Sequence, residues 1–137
     1  MPSRRVDVFF YGLFMDVDVL RARGIVPEGV TLASVGGFAM RVGKRATLVP
    51  NPSGRVYGVV MSLTRDEVDR LYAEPALLAY QQRAVLADLA GGGASAALCY
   101  ILAEPPAPED SDPEYSLQLR ALAYKIGLPV EYVASFE

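Results

Sequence analysis

The 137-residue chain contains no histidine, no tryptophan and only one cysteine. The missing histidines remove the commonest acid/base side chain, and with them most transition-metal sites. An all-oxygen metal site would need an acidic cluster with ligand spacing, which the sequence lacks. One cysteine excludes an internal disulfide and fits a reducing compartment. A carboxyl group whose pKa is raised by its surroundings is therefore the natural candidate for acid/base chemistry near neutral pH, with a lysine-activated Ser or Thr as an alternative.

Long apolar runs and blocks of like charge are also missing. The 13 basic and 16 acidic residues are mixed along the chain, and the net charge is −3. This mixture gives little support to a nucleic-acid groove or a membrane-binding helix, and no apolar run is long enough to span a bilayer. The N-terminus lacks the apolar stretch and cleavage site of a signal peptide. We therefore expect a cytoplasmic protein that binds neither nucleic acid nor membranes.

The chain does have ample apolar material and clear strand patterns. With 52% hydrophobic and 21% charged residues it is typical of a folded protein, and its length most simply forms one domain over residues 1–137. Strands are predicted at Val6–Tyr11, Val30–Val35, Gly37–Val42, Ala46–Val49, Arg55–Leu63, Gln82–Leu89 and Ala94–Leu102. Residues 50–54 and 91–93 are predicted turns.

Helix boundaries are indicated at three places. Asp16 is a predicted N-cap of a helix that stops at Gly24, Thr64 and Glu67 form a predicted capping box, and a last helix starts at Pro113. The last helix is expected to stop at 127–129 and to direct Leu117, Leu119, Leu122, Ala123 and Ile126 toward the core. These helices are too few to cover both faces of a parallel sheet. The sequence therefore predicts an α+β fold around a curved, mostly antiparallel sheet or barrel.

Glu74 lies in an otherwise apolar and aromatic segment, from Leu71 to Tyr80. In a poorly hydrated pocket its pKa would rise, and it could carry a proton near neutral pH. Glutamates are rarely fully buried, however, and Arg83 is close enough in sequence to pair with it and lower that pKa. The local sequence alone therefore favours a solvated glutamate in a turn.

The segment Tyr11–Phe14 is a predicted strand-to-helix junction with a glycine at the bend. Gly12 would let the backbone approach a ligand closely, and the amides before the helix could hold a carboxylate or another anionic group. The alternative is an ordinary turn in which Gly12 only satisfies a backbone angle. From these four residues alone, the ordinary turn is favoured.

Other residues have simpler interpretations. Cys99 lies in an apolar strand with no nearby cation, so it is interpreted as a core residue and not as a nucleophile. The basic residues Arg41, Lys44 and Arg45 are most simply a solvated rim, although one of them could attract a substrate carboxylate. Packing is expected of most of the tyrosines at 57, 80, 100, 115 and 132, and one or two of them could offer a hydroxyl to a pocket.

Taken in order, five segments resemble the gamma-glutamylcyclotransferase-like family. The resemblance spans nearly the whole chain and combines short motifs whose order and spacing agree with the family. The segments are Phe9–Phe14, Val56–Leu63, Leu71–Pro75 with Tyr80 and Arg83, Ala97–Tyr100, and Pro113–Tyr132.

This resemblance implies a small, mostly antiparallel barrel flanked by short helices, with a cavity for the gamma-glutamyl part of a small-molecule substrate. It makes Tyr11, Gly12, Leu13, Phe14 and Tyr80 the expected substrate-binding residues, with the loop amides on the substrate's polar end. It makes Glu74 the expected general base and acid. Glu74 would take a proton from the α-amine as that amine attacks the γ-carbonyl, and would pass it to the departing amine as 5-oxoproline forms. No metal or cofactor is expected.

The chain departs from the family pattern at three places. Leu13 replaces the usual Ser or Thr of the loop, Pro75 replaces the Gly after the acid, and the Leu71-Tyr72 pair replaces an Asp. Two alternatives to an enzyme follow. One is a non-catalytic module that binds a small metabolite in the same cavity, and the other is an interaction domain whose cavity is filled by Leu13 and Phe14.

Overall fold

The fold was analysed in a computed structural model, which describes residues 4–42, 46–73, 80–102 and 113–134. The strands are β1 (Arg5–Phe10), β2 (Glu28–Val42), β3 (Ala46–Thr64), β4 (Tyr80–Leu89) and β5 (Ala94–Leu102). The helices are α1 (Val17–Arg21), α2 (Arg65–Leu71), α3 (Pro113–Ile126) and α4 (Val130–Ala134), and a 3₁₀ turn occupies Leu13–Met15. Within the described ranges, no helix is both long and apolar enough to cross a membrane.

The strands form a closed barrel in the order β1-β3-β2-β4-β5. Neighbouring strands are antiparallel except where β5 closes the barrel against β1, with Leu98 opposite Val8 in parallel pairing. The prediction of an α+β fold with a mixed, mostly antiparallel barrel and short helices is therefore confirmed. Two of the seams are short: β2 pairs with β4 at Ala33 and Ser34, and β1 pairs with β5 at Val8.

Two long strands replace four shorter predicted ones. The predicted strands at 30–35 and 37–42 are one continuous strand, β2, and those at 46–49 and 55–63 both belong to β3. The prediction of separate strands is wrong because the turn-forming residues do not end the strands. They are accommodated by a shift in the pairing of β2 with β3. Pairing shifts between Gly36 and Phe38 of β2, so residues 51–54 of β3 lie opposite a single residue.

Alternation along β1 divides the core into two clusters. Phe9 and Tyr11 belong to a cluster drawn from all five strands, which fills the barrel interior. Val8 and Phe10 point to the opposite side and pack with buried residues of the helices, such as Leu20 and Leu119. Successive strand side chains face opposite sides of a sheet, so this one strand contributes to both clusters.

Helix boundaries follow the predicted caps. Asp16 accepts a hydrogen bond from the Asp18 amide at 3.0 Å. Thr64 Oγ1 accepts from the Glu67 amide at 3.1 Å, and Glu67 Oε1 accepts from the Thr64 amide at 2.8 Å, which completes the capping box. The helix predicted up to Gly24 ends at Arg21.

The last helix starts at Pro113 and ends at Ile126, as predicted, but Leu117 does not face the core. Its side chain is 63% exposed, whereas Leu119, Leu122 and Ala123 are buried. The prediction for Leu117 is wrong because residues two positions apart lie on nearly opposite sides of a helix. Helix α4 follows without a sequence signal strong enough to predict it. The predicted connector Glu104–Asp112 lies outside the described residues.

Candidate functional site

The site begins where β1 ends. Tyr11 and Gly12 follow the strand, and the chain then enters the 3₁₀ turn, in which the Met15 amide donates to the Gly12 carbonyl at 3.0 Å. Gly12 has an extended backbone with φ −111° and ψ −152°, which any residue can adopt. A Cβ at this position would lie 3.3 Å from the Tyr115 hydroxyl oxygen. Glycine therefore serves here to make room for a side chain, and not to allow a special backbone angle.

A cavity of about 170 Å³ opens beside this loop. Five of the six predicted site residues line it, namely Tyr11, Gly12, Leu13, Phe14 and Tyr80. The other lining residues are Phe9, Phe10, Ala46, Tyr72, Tyr100 and Tyr115. The sixth predicted residue, Glu74, lies outside the described residues. The structure thus brings the predicted loop and Tyr80 together around one open volume, and Leu13 and Phe14 do not fill it.

One wall of the cavity is a cluster of rings, which we call the aromatic wall: Phe14, Tyr72, Tyr80 and Tyr100. The Tyr72 and Tyr100 rings stack with centroids 3.8 Å apart at 11°. Phe14 meets Tyr72 edge-on at 6.2 Å and 87°, and Tyr80 lies 6.1 Å from it. Contacts of this kind stabilise by about 0.5–1.5 kcal/mol each beyond the area they bury. Tyr72 touches all three other rings, so its ring is firmly positioned.

Two of the predicted residues use their hydroxyl groups within the protein. The Tyr11 hydroxyl donates to the Tyr100 carbonyl at 2.6 Å, and the Tyr80 hydroxyl donates to the Ala46 carbonyl at 2.6 Å. Burial raises the pKa of Tyr11 well above its ordinary value, so this phenol stays neutral. The bond from Tyr11 joins the end of β1 to β5, and the bond from Tyr80 joins the start of β4 to the start of β3.

Tyr115, from the first turn of α3, reaches the loop from the other side. Burial raises the pKa of its hydroxyl, and hydrogen bonds from the Ala46 and Leu13 backbone amides partly oppose that increase. The Leu13 amide was expected to face a substrate, and here it hydrogen-bonds with a phenol of the protein. Tyr115 was interpreted from the sequence mainly as a packing residue. Its contact with a loop about 100 residues earlier depends on the barrel, which local sequence does not reveal.

Among the tyrosines that line the cavity, Tyr72 is the one that sequence reasoning missed. The sequence places it in the apolar surroundings of Glu74 and in the Leu71–Pro75 family match, without a role for its hydroxyl. The available signal was its place directly after a short helix and two residues before the candidate acid. Burial raises the pKa of Tyr72 well above the ordinary value for tyrosine.

The remaining candidates lie away from the cavity or outside the described residues. Cys99 is fully buried in the barrel interior, and burial raises the pKa of its thiol to about 12, which suits a core residue. Arg83 places its guanidinium 5.1 Å from the Phe38 ring centroid. Arg41 is exposed. Lys44 and Arg45 lie outside the described residues.

Comparison with known proteins gives the same family as the sequence motifs. A family model described as gamma-glutamyl cyclotransferase, AIG2-like, matches residues 8–119. A search of the curated proteins found no match.

Solved structures share the fold. A gamma-glutamyl cyclotransferase superposes with a TM-score of 0.81 at 19% identity, covering 98% of this chain and 89% of that one. An uncharacterized protein from Homo sapiens gives 0.79 at 20% identity, covering 97% and 88%. An AIG2-like protein from Mus musculus gives 0.58 at 16% identity, covering 78% and 82%. Identities this low show the fold and not the activity. The family model matches most of the chain, and the chain therefore belongs to the gamma-glutamyl cyclotransferase, AIG2-like family.

Proposed function

We propose that the protein catalyses the intramolecular aminolysis of a gamma-glutamyl or similar small amide, releasing 5-oxoproline and an amine. The observation that carries this proposal is the open cavity beside the Tyr11–Phe14 loop in a chain of this family. A cavity bounded by aromatic rings and a few polar groups is the usual form of a small-molecule site.

Glu74 is the proposed general acid/base. Both Tyr72 and Tyr80, which flank it in sequence, border the cavity. The described lining holds no charged side chain. A carboxyl group admitted to such a lining loses hydration, which raises its pKa toward the range useful for proton transfer.

The proposed reaction requires one positioned carboxyl group. The Glu74 carboxylate takes a proton from the substrate's α-amine as the amine nitrogen forms a bond to the γ-carbonyl carbon. The bond from that carbon to the leaving nitrogen then breaks, and the same carboxyl group returns the proton to that nitrogen. Because nucleophile and carbonyl belong to one molecule, the cavity mainly has to hold the substrate in its bent form.

A second candidate is a non-catalytic module that binds a small acidic or amide metabolite in the same cavity. One observation favours it: the Leu13 amide hydrogen-bonds with Tyr115, and Leu13 itself carries no hydroxyl for a ligand. The loop then offers fewer free polar groups than the family pattern implies.

Product analysis tests the proposal. Purified protein is incubated with gamma-glutamyl amino acids, gamma-glutamyl amines and glutathione, and 5-oxoproline is measured by chromatography. We expect Glu74→Gln to lower kcat by about 10²–10⁴-fold, because general acid/base catalysis contributes that much. Glu131→Gln, on the exposed face of α4, is the matched control and is expected to keep wild-type activity.

Two results would redirect the proposal. Full activity in Glu74→Gln would remove this residue from the mechanism. A compound of the panel that raises the melting temperature but yields no 5-oxoproline would favour the binding module, because a ligand of the native state stabilises it whether or not it reacts.

A further inference from the structure

The tyrosines around the cavity differ in what their hydroxyl groups do. Tyr11 and Tyr80 donate to backbone carbonyls, both at 2.6 Å, and Tyr100 donates to Gln82 Oε1 at 3.1 Å. Tyr115 hydrogen-bonds with two backbone amides. Each of these four hydroxyls is therefore engaged in holding the walls of the cavity together.

Tyr72 is different. It borders the cavity and is half-buried, and among the residues that the structure describes none hydrogen-bonds with its hydroxyl. Its ring is held by the stacked Tyr100 and by Phe14 and Tyr80 at its edges. Its hydroxyl is not among the fully buried polar atoms without a partner, so a ligand oxygen in the cavity can reach it. A hydrogen bond of this kind contributes about 0.5–1.5 kcal/mol.

The chemistry of this hydroxyl suits one kind of ligand atom. Burial keeps the pKa of Tyr72 high, so the phenol remains protonated and can donate one hydrogen bond. Within the described lining no side chain is charged. A neutral donor in an uncharged, partly closed space matches a carbonyl oxygen, and it matches still better the oxygen of a tetrahedral intermediate, on which negative charge develops.

We infer that the Tyr72 hydroxyl donates a hydrogen bond to the amide carbonyl oxygen of the bound ligand and stabilises the oxyanion formed when the amine attacks. The oxyanion part of this inference rests on the proposed function, whereas the contact with a bound carbonyl needs only the cavity. Tyr72 is then a catalytic residue that keeps its own proton throughout. It supplies a hydrogen-bond donor from the aromatic wall, in a cavity whose loop residue Leu13 has no hydroxyl.

The test is Tyr72→Phe, which keeps the stacked ring and removes only the hydroxyl. We expect kcat for the best gamma-glutamyl amide to fall about 10²–10³-fold with KM changed only a few-fold, as for the loss of one oxyanion donor. Calorimetric affinity for 5-oxoproline, which retains the carbonyl, should fall about 3- to 10-fold. Melting temperature should stay at or above the wild-type value. Tyr124→Phe, whose side chain is 60% exposed on α3, is the matched control.

The possible results separate this inference from the proposed function. Wild-type kcat and wild-type affinity for 5-oxoproline in Tyr72→Phe would overturn the inference and leave the activity standing. A lower melting temperature in this variant would show a structural role for the hydroxyl and would also overturn it. A wild-type protein that binds 5-oxoproline without turning over any amide, with weaker binding by Tyr72→Phe, would support the contact and overturn the activity. A wild-type protein that neither binds nor reacts would overturn both.

Discussion

The barrel interior and the adjoining cavity are lined by different kinds of side chain. The interior cluster contains mainly small and aliphatic side chains from β2 to β5, such as Val35, Leu48 and Val56. The cavity is lined mainly by phenylalanine and tyrosine, and two of the tyrosines, Tyr11 and Tyr80, donate hydrogen bonds to backbone carbonyls. Tyr11 belongs to both regions.

The two regions therefore contribute differently: the interior stabilises the fold, and the cavity provides space for a ligand. Aliphatic side chains interdigitate and leave few voids, so the interior supplies hydrophobic stabilisation. Rings fixed by hydrogen bonds at their hydroxyl ends can instead stand as walls around an open volume. Substitutions in the interior should therefore lower stability most, and substitutions at the cavity hydroxyls should affect stability only where the hydroxyl has a partner.

The largest stability effect is expected for Leu48→Ala in the barrel interior. Leu48 is 2% exposed, and replacing such a side chain by alanine lowers the free energy of unfolding by about 2–5 kcal/mol. Urea titration monitored by circular dichroism measures this free energy of unfolding. Val30→Ala, at an exposed valine of β2, is the control and should change it by about 0.5 kcal/mol or less. A loss below about 1 kcal/mol for Leu48→Ala would contradict a closely packed interior.

An intermediate effect is expected for Tyr11→Phe. This change keeps the ring but leaves the buried Tyr100 carbonyl without the donor now 2.6 Å away. We expect the free energy of unfolding to fall by about 1–3 kcal/mol, the cost of an unsatisfied buried group. The same urea titration compares Tyr11→Phe with Tyr72→Phe, which should show no loss. Equal losses in the two variants would erase the distinction between structural and ligand-facing hydroxyls.

The smallest effect concerns Glu67 and pH. Burial opposes its charge, but hydrogen bonds from the Thr64 and Val26 backbone amides and from the Thr64 side chain outweigh burial and lower its pKa from 4.5. A lowered folded-state pKa gives stability that is present above the unfolded pKa and is lost as pH falls through the folded value. Glu67→Ala should cost about 0.5–2 kcal/mol at pH 7, and the difference from wild type should shrink below pH 4.5. A difference that stayed constant down to pH 3 would contradict this assignment.

Local sequence patterns predicted much of the fold because the signals for its strands and helix caps lie in residues that are close together in sequence. Alternation along β1 and the Thr64–Glu67 capping box needed no tertiary information. The predictions that Leu117 faces the core and that β2 and β3 are each two strands are wrong. Side-chain exposure and irregular strand pairing depend on the elements that pack against a segment, which local sequence does not show. The loop at Tyr11–Phe14 could be proposed from its glycine, although the reason for that glycine, the nearby Tyr115 hydroxyl, is set by a distant helix.

The roles of the cavity tyrosines were hidden for the same reason. Nothing adjacent to Tyr72 shows that its ring stacks on Tyr100, which lies on β5. Likewise, the partner of the Tyr11 hydroxyl belongs to a strand that is distant in sequence. The family resemblance could place these residues near a pocket. Which of their hydroxyls hydrogen-bond within the protein could be seen only in the folded structure.

The bond from Tyr11 to the Tyr100 carbonyl has a consequence for how the protein folds. It joins residues 89 positions apart, at the one parallel seam of the barrel, between the first strand and the last. Contacts of such long sequence separation form slowly, because the loop between them must first be ordered. The cavity is therefore completed only when β5 docks onto β1. Ligand binding by a refolding chain should appear with the final barrel and not with its first hairpins.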